Sequence, residues 1–239
     1  MKTDQRAIAA AHNNADWYGA VFAAHRLQFK RLPYAFVGLD TAPPYYSNMT
    51  ITSPEPWDAI LSELARLSAR FGGKLGIKDS FCQLDLQTHG FKVLFEASWI
   101  WRDPKPSKMP DGWAVVSEAT HLELWEDGWR RNGSPTDQRM FPETLLDRKD
   151  VCFLGRLDQN RFVAGCIVNR SEGCLGLSNV FSENPTGAQF GDAVNAAASM
   201  DERCALVGYE SGADLTFAIQ NEFQTVGNLR ILKAQNAIF

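Results

Sequence analysis

The sequence lacks the features that mark several common protein classes. Its 24 Lys and Arg residues are outnumbered by 28 Asp and Glu residues, giving a net charge of −4, so the basic excess that a nucleic-acid backbone demands is missing. No C-x-x-C pair and no H-E-x-x-H run places metal ligands on one turn or helix face. The cysteines number five, an odd count, and we interpret them as reduced thiols. We therefore expect no nucleic-acid partner and no metal site.

Long hydrophobic runs are also missing. The N-terminal segment contains only the short apolar run 7–11, too short for the core of a signal peptide, and nowhere do about 18 apolar residues follow one another. These absences predict a cytoplasmic chain with no membrane partner.

The sequence has no Gly-x-Ser-x-Gly turn, and its Gly72-Gly73-Lys74 run lacks the spacing of a phosphate loop. Serine hydrolases and P-loop NTPases are therefore disfavoured.

What is present is a mixed order of helical and strand patterns, which predicts an α+β fold. Asp16 can cap a helix in which Trp17, Val21 and Phe22 recur at helical spacing, with Pro33 as its stop. An apolar stripe predicts a second helix from Trp57 onward. Further patterns predict the elements that follow: strands at 34–39, 45–52, 74–77, 91–101, 113–118, 151–157, 161–169, 174–181, 204–209 and 223–233; helices at 84–88, 120–131, 142–148, 188–199 and 212–221.

A segment at 101–112 contains three prolines between two apolar stretches, which is typical of a linker. We place a boundary near residue 105, which divides the chain into a first domain, 1–105, and a second, 106–239. The strand at 91–101 has apolar residues on both faces, as expected of a strand buried on both sides. The two parts are therefore predicted to pack closely.

The chain also contains matches at a nearly constant offset. The run Gly76-Ile-Lys-Asp79 has a counterpart 132 residues later in Gly208-Tyr-Glu-Ser211, and Ser47-Asn48 matches Ser178-Asn179 at an offset of 131. A third pair of similar segments is separated by 134 residues. Near-constant offsets predict two related copies in tandem.

The elements from residue 161 to 231 resemble the second half of a GNAT-type N-acyltransferase, ending in Gly-Tyr-Glu…Asp-Leu…Phe…Gly…Leu-Arg. The first part of the chain resembles a truncated, degenerate copy. The resemblance implies a central mixed sheet flanked by helices, with acyl-CoA between the fourth strand, 174–181, and the fifth, 204–209. In such a fold the pyrophosphate lies on the start of the next helix, where unpaired N–H groups and the helix dipole attract an anion.

By this resemblance, acetyl-CoA or another acyl-CoA is the co-substrate, and backbone groups hold it. Asn179, Val180 and Phe181 would face the thioester carbonyl. Thr186, Gly187, Ala188 and Gln189 would carry the pyrophosphate. The loop at 182–191 departs from the family's Gln/Arg-x-x-Gly-x-Gly/Ala signature, because it has no basic residue at the start and contains Glu183.

Tyr209 and Glu210 end the fifth strand, where the acceptor amine meets the thioester in this family. A phenol suits protonation of the leaving thiol, and a carboxylate suits deprotonation of the amine. The alternative is that Tyr209 only packs and Glu210 caps the helix that begins at Ser211. The family's tyrosine on that helix is absent here.

The resemblance implies an acyl-CoA-dependent N-acyltransferase whose acceptor is a small-molecule or peptide amine. The alternative is a non-catalytic binding or interaction protein that kept the fold and lost the cofactor.

Overall fold

The computed structural model describes residues 3–235, which form one mixed sheet of eleven strands with five flanking α-helices. The α+β class and the central mixed sheet are therefore confirmed. The helices are α1 Gln5–Ala24, α2 Trp57–Phe71, α3 Ala119–Arg131, α4 Gly187–Ala198 and α5 Gly212–Gln220. The strands are β1 Phe29–Leu32, β2 Ala35–Gly38, β3 Met49–Ile51, β4 Gly76–Asp79, β5 Phe91–Arg102, β6 Trp113–Val116, β7 Val151–Asp158, β8 Arg161–Ser171, β9 Cys174–Ser182, β10 Ala205–Glu210 and β11 Gln224–Ala234.

The strand order shows how the two parts of the chain share the sheet. It runs β1-β2-β3-β4-β11-β5-β10-β9-β8-β7-β6. Only β3 with β4 and β9 with β10 pair in parallel, and the other neighbours are antiparallel. β11, the last strand of the second part, pairs with β4, whereas β5, the last strand of the first part, pairs with β10. The last strand of each part therefore pairs with a strand of the other part.

The division into two copies at residue 105 stays a prediction. At the centre of the sheet the order is β4-β11-β5-β10, so the last strand of each part lies between two strands of the other part. This symmetric arrangement agrees with two related units. The dipeptide match does not correspond in the same way, because Ser47-Asn48 precedes β3 whereas Ser178-Asn179 lies inside β9. The strand order, not this match, now supports the prediction.

Three predicted helices differ from the observed ones. α1 begins at Gln5 rather than after Asp16, because the Asp4 side chain accepts the Arg6 N–H at 2.8 Å and the alanine-rich segment that follows favours a helix. The predicted helix at 84–88 is a set of turns. The one predicted at 142–148 is a single 3-10 turn, Glu143–Leu145.

The helices cover the two faces of the sheet. Alternate residues of β8 show this, because Ile167 packs in a cluster with α1 and α3, whereas Cys166 and Val168 pack in a cluster with α4. None of the helices within the described residues is both long enough and apolar enough to cross a membrane.

The prediction that β5 is buried on both faces is wrong for the first half of the strand. Ala97, Trp99 and Ile100 are buried, whereas Leu94 is 55% and Phe95 45% exposed. The exposed residues lie in the first half of β5, whereas β10 pairs with the second half, from Ser98 to Arg102. The first half projects beyond that strand.

Candidate functional site

The parallel strands β9 and β10 separate partway along their length. They pair at Ala205 with Cys174, at Leu206 with Leu175 and at Val207 with Gly176. Beyond that point the two strands no longer pair with each other, and each keeps only its outer neighbour, β8 for β9 and β5 for β10. A side chain at Gly208 would lie 2.8 Å from the Leu177 carbonyl oxygen, so glycine lets the strands approach just where they begin to part.

A cavity of about 470 Å³ opens from this gap. Its walls come from α1, α3, β8, β9, β10, α4 and α5, and from the segments near residues 45 and 132. Most of the residues predicted from the sequence line it: Asn179, Val180, Phe181, Thr186, Gln189, Tyr209 and Glu210. Gly187 and Ala188 lie next to it in the first turn of α4. The structure therefore brings the two predicted groups together around one cavity.

A β-bulge shapes the β9 side of the gap. Ser178 pairs with Ile167 and Phe181 with Gly165, so Asn179 and Val180 have no partners in this ladder. Asn179 also has a positive φ of 53°. The extra residue of a bulge lies outside the strand ladder, which leaves backbone groups available at the place predicted for the thioester.

The start of α4 is supported by arginines from elsewhere in the chain. Thr186 caps the helix, its hydroxyl accepting the Gln189 N–H at 3.2 Å. Arg156 of β7 donates to the Gln189 side-chain oxygen at 3.3 Å, and Arg161 pairs with Glu183 at 3.0 Å. Arg156 thus places a guanidinium beside the start of α4, which inspection of the loop alone could not find because this residue lies some thirty residues earlier.

Tyr209 is held between a tryptophan and a lysine. Its ring packs edge to face against Trp99, with the two ring centroids 5.6 Å apart. Lys78 Nζ lies 4.0 Å from the centroid of the Tyr209 ring. Burial, followed by the charge of Glu210, raises the pKa of Tyr209 to about 12, although a hydrogen bond with Tyr18 acts to lower it. The phenol therefore keeps its proton at neutral pH.

Glu210 faces the opposite side of β10, as strand alternation requires. Burial is the main cause that raises the pKa of Glu210 to about 8, and the nearby charge of Asp214 adds to it. Asp214 lies in the first turn of α5, lines the cavity and has its own pKa raised by burial. The N-cap of α5 is Ser211, so Glu210 does not occupy the N-cap position of this helix. Asp214 is the aspartate of the Asp-Leu pair in the run that carries the resemblance, but nothing local in the sequence assigns it a role at the site.

Lys78 of β4 is a fully buried lysine beneath the cavity wall. Its Nζ donates to Asn14 Oδ1 at 2.6 Å and lies over the rings of Tyr18, 4.6 Å from the ring centroid, and Tyr209. Burial holds the pKa of Lys78 well below its ordinary value. In the sequence it was noted only as the counterpart of Glu210 in the repeat.

We expect Lys78→Met to change how stability depends on pH. Between the lowered pKa and the ordinary value of 10.5, the unfolded chain holds a proton that the folded protein lacks. The residue's contribution to the free energy of unfolding therefore rises with pH, by about 1.4 kcal/mol per pH unit at most. Urea unfolding of both proteins at pH 7, 8 and 9 should show wild type gaining stability relative to the variant. Parallel curves would mean that Lys78 stays charged when buried.

Other clusters are structural or absent. Within residues 3–235, no group of three His, Cys, Asp or Glu side chains is arranged to hold a metal ion. The buried carboxylate of Glu126 accepts the N–H groups of Met140, at 2.6 Å, and Phe141, at 3.3 Å, and therefore anchors a loop.

No protein-family model and no curated protein matches the chain, whereas solved structures do. A GCN5-related N-acetyltransferase from Kribbella flavida superposes with a TM-score of 0.66 at 14% identity, covering 96% of each chain. A second such enzyme, from Sphaerobacter thermophilus, gives 0.53 at 6% identity, covering 80% of this chain and 73% of that one. Saccharomyces cerevisiae N-myristoyltransferase with bound myristoyl-CoA gives 0.54 at 9% identity, covering 83% and 63%.

Proposed function

We propose that this protein, which has the fold of the GCN5-related N-acetyltransferases, is an acyl-CoA-dependent N-acyltransferase. It would transfer an acetyl or other acyl group to an amine of a small molecule or peptide. The observation that carries the proposal is the single cavity at the parting of β9 and β10, where the bulge, the start of α4, Tyr209 and Glu210 meet.

The groups around the cavity fit an acyl-CoA. Backbone amides at the bulge, from Asn179 to Phe181, can polarise a thioester carbonyl. The first N–H groups of α4, other than that of Gln189, which the Thr186 hydroxyl caps, and the guanidinium of Arg156 suit a pyrophosphate. An acyl-CoA supplies the activated thioester, and the chain supplies its position and the proton transfers.

Tyr209 and Glu210 are the catalytic residues of this proposal. The acceptor nitrogen attacks the thioester carbon, the C–N bond forms and the C–S bond breaks. Glu210 takes the proton that the nitrogen loses, and Tyr209 gives its proton to the departing sulfur. A base with a pKa near 8 is well matched to an amine near neutral pH.

Acetyl-CoA binding is the direct test. At about 100 times its dissociation constant a ligand adds about 2.7 kcal/mol to stability, which for a chain of this size corresponds to a rise in Tm of about 5–10 °C. Thermal unfolding with and without acetyl-CoA, and with longer acyl-CoA thioesters, measures this shift.

Two variants of Gly187 localise the binding. Thr186 has the extended backbone (φ −135°, ψ 162°) that a following proline prefers, and Gly187 is the first residue of α4. Gly187→Pro should therefore keep the helix, remove one N–H and lose most of the thermal shift. Gly187→Ala keeps that N–H, places its methyl against the same flexible Gln220 side chain, and should retain the shift. A wild-type protein that binds no acyl-CoA would favour the non-catalytic alternative.

A further inference from the structure

The cavity has a second end, away from the start of α4, with a different chemistry. Five aromatic side chains from α1, α3 and the segment before β3 converge there: Trp17, Tyr18, Tyr45, Tyr46 and Trp129. If the cofactor lies along β9 and α4, this aromatic end is left for the acceptor. What it would accept can therefore be read from its walls.

The aromatic rings support one another, which makes the walls rigid. Tyr18 meets Tyr46 edge to face at 4.8 Å, and Tyr45 meets Trp129 in the same way at 5.6 Å. The Tyr45 hydroxyl donates to the Pro135 carbonyl at 2.6 Å, although 55% of that residue is exposed. Such walls suit a flat apolar group, with Tyr45 at the entrance.

Most polar groups of the same end are engaged with the protein itself, and one exception is the buried Tyr46 hydroxyl, which has no hydrogen-bond partner among the described residues. Asn13 and Asn169 are hydrogen-bonded to each other at 3.1 Å, and Asn14 accepts from Lys78. Asn132 donates to the Gly128 carbonyl at 2.8 Å. They therefore offer few free donors to a strongly polar ligand.

The ionisable side chains that line the cavity are all acidic. Glu210 and Asp214 line it, and among the described residues no Lys, Arg or His does. Lys78 is close, but it is fully buried, its Nζ is hydrogen-bonded to Asn14 and lies against the rings of Tyr18 and Tyr209, and burial lowers its pKa. Arg156 lies at the opposite end, beside Gln189.

We infer that the acceptor is an aryl-alkyl amine that carries no carboxylate or phosphate beside its amino group. The ring would lie among the aromatic walls, and the amine would reach Glu210 as a hydrogen-bond partner, with its positive charge attracted by the ring faces. A carboxylate next to the amine would be buried beside Glu210 and Asp214 with no cation to pair with. This inference rests on the proposed function.

Tyramine and tyrosine test it, because they differ only by the carboxylate. Calorimetric binding to the protein alone should give a dissociation constant at least 100-fold lower for tyramine. With saturating acetyl-CoA, thiol release should show at least the same ratio in kcat/KM. Tryptamine and tryptophan form a second pair, and spermidine is a cationic amine without a ring.

Two tyrosine variants separate the aromatic end from general effects. Tyr45→Ala should weaken tyramine binding roughly 3- to 10-fold by removing the ring at the entrance. Tyr34→Ala is the matched control, since Tyr34 packs with the cluster formed by α2, away from the cavity. It should leave tyramine binding unchanged.

The possible failures can be told apart. Equal affinity for tyramine and tyrosine, tighter binding of tyrosine or spermidine, or no binding of either aryl amine overturns the inference, whether or not acetyl-CoA binds. Absence of an acetyl-CoA thermal shift overturns the proposed function instead, and the calorimetric comparison of tyramine with tyrosine still decides the ligand class of the aromatic end.

Discussion

Glu210→Gln is expected to lower turnover at least 100-fold, since a positioned general base contributes about 100- to 10,000-fold. Glutamine has nearly the same shape but cannot take a proton from the acceptor nitrogen. The thermal shift with acetyl-CoA should remain, because the groups proposed to hold the cofactor lie on β9 and α4. Steady-state thiol release measures the first effect, and thermal unfolding measures the second.

The pH profile identifies the role of Glu210. With a pKa of about 8, the residue is mainly protonated at pH 7, so a base role predicts that kcat/KM rises with pH and levels off above about 8. The small remaining activity of Glu210→Gln should lack this rise. A wild-type rate that instead falls above pH 8 would make Glu210 the proton donor to the thiolate.

Unfolding of Glu210→Gln cannot account for its low activity above pH 8. The folded protein keeps the Glu210 proton up to about pH 8, whereas the unfolded chain releases it near its ordinary pKa of 4.5. Wild type therefore loses stability as pH rises between these values, and glutamine does not. Above pH 8 the variant should be at least as stable as wild type in urea unfolding. Asp214→Asn is a useful comparison, because removing that charge should move the wild-type profile to lower pH.

Local patterns in the sequence predicted most elements after residue 151, because each has a clear period and a nearby turn signal. The start of α1 was missed because its first turns are mostly alanine, with no apolar stripe to mark their boundary. The crossing of β5 and β11 could not be predicted, since strand partners far apart in sequence leave no local signal.

The candidate site divides in the same way. Asn179 to Phe181 and Tyr209-Glu210 lie at strand positions that a resemblance can identify. Arg156 and Lys78 reach the site from distant strands, and their importance depends on neighbours: Gln189 for the first, Asn14 and two tyrosine rings for the second. Only the folded chain brings such groups together.

Tyr209→Phe removes one hydroxyl and is also expected to lower turnover at least 100-fold. The ring remains, so its contacts with Trp99 and Lys78 are kept, and the lost hydrogen bond with Tyr18 should lower Tm by only a few degrees. With its pKa raised to about 12, the phenol is protonated throughout the working range, so the loss should be the same from pH 6 to pH 9, unlike that of Glu210→Gln. Tyr34→Phe, which removes a hydroxyl outside the cavity, should keep wild-type turnover. If Tyr209→Phe also keeps it, the residue only packs, and another group must protonate the thiolate.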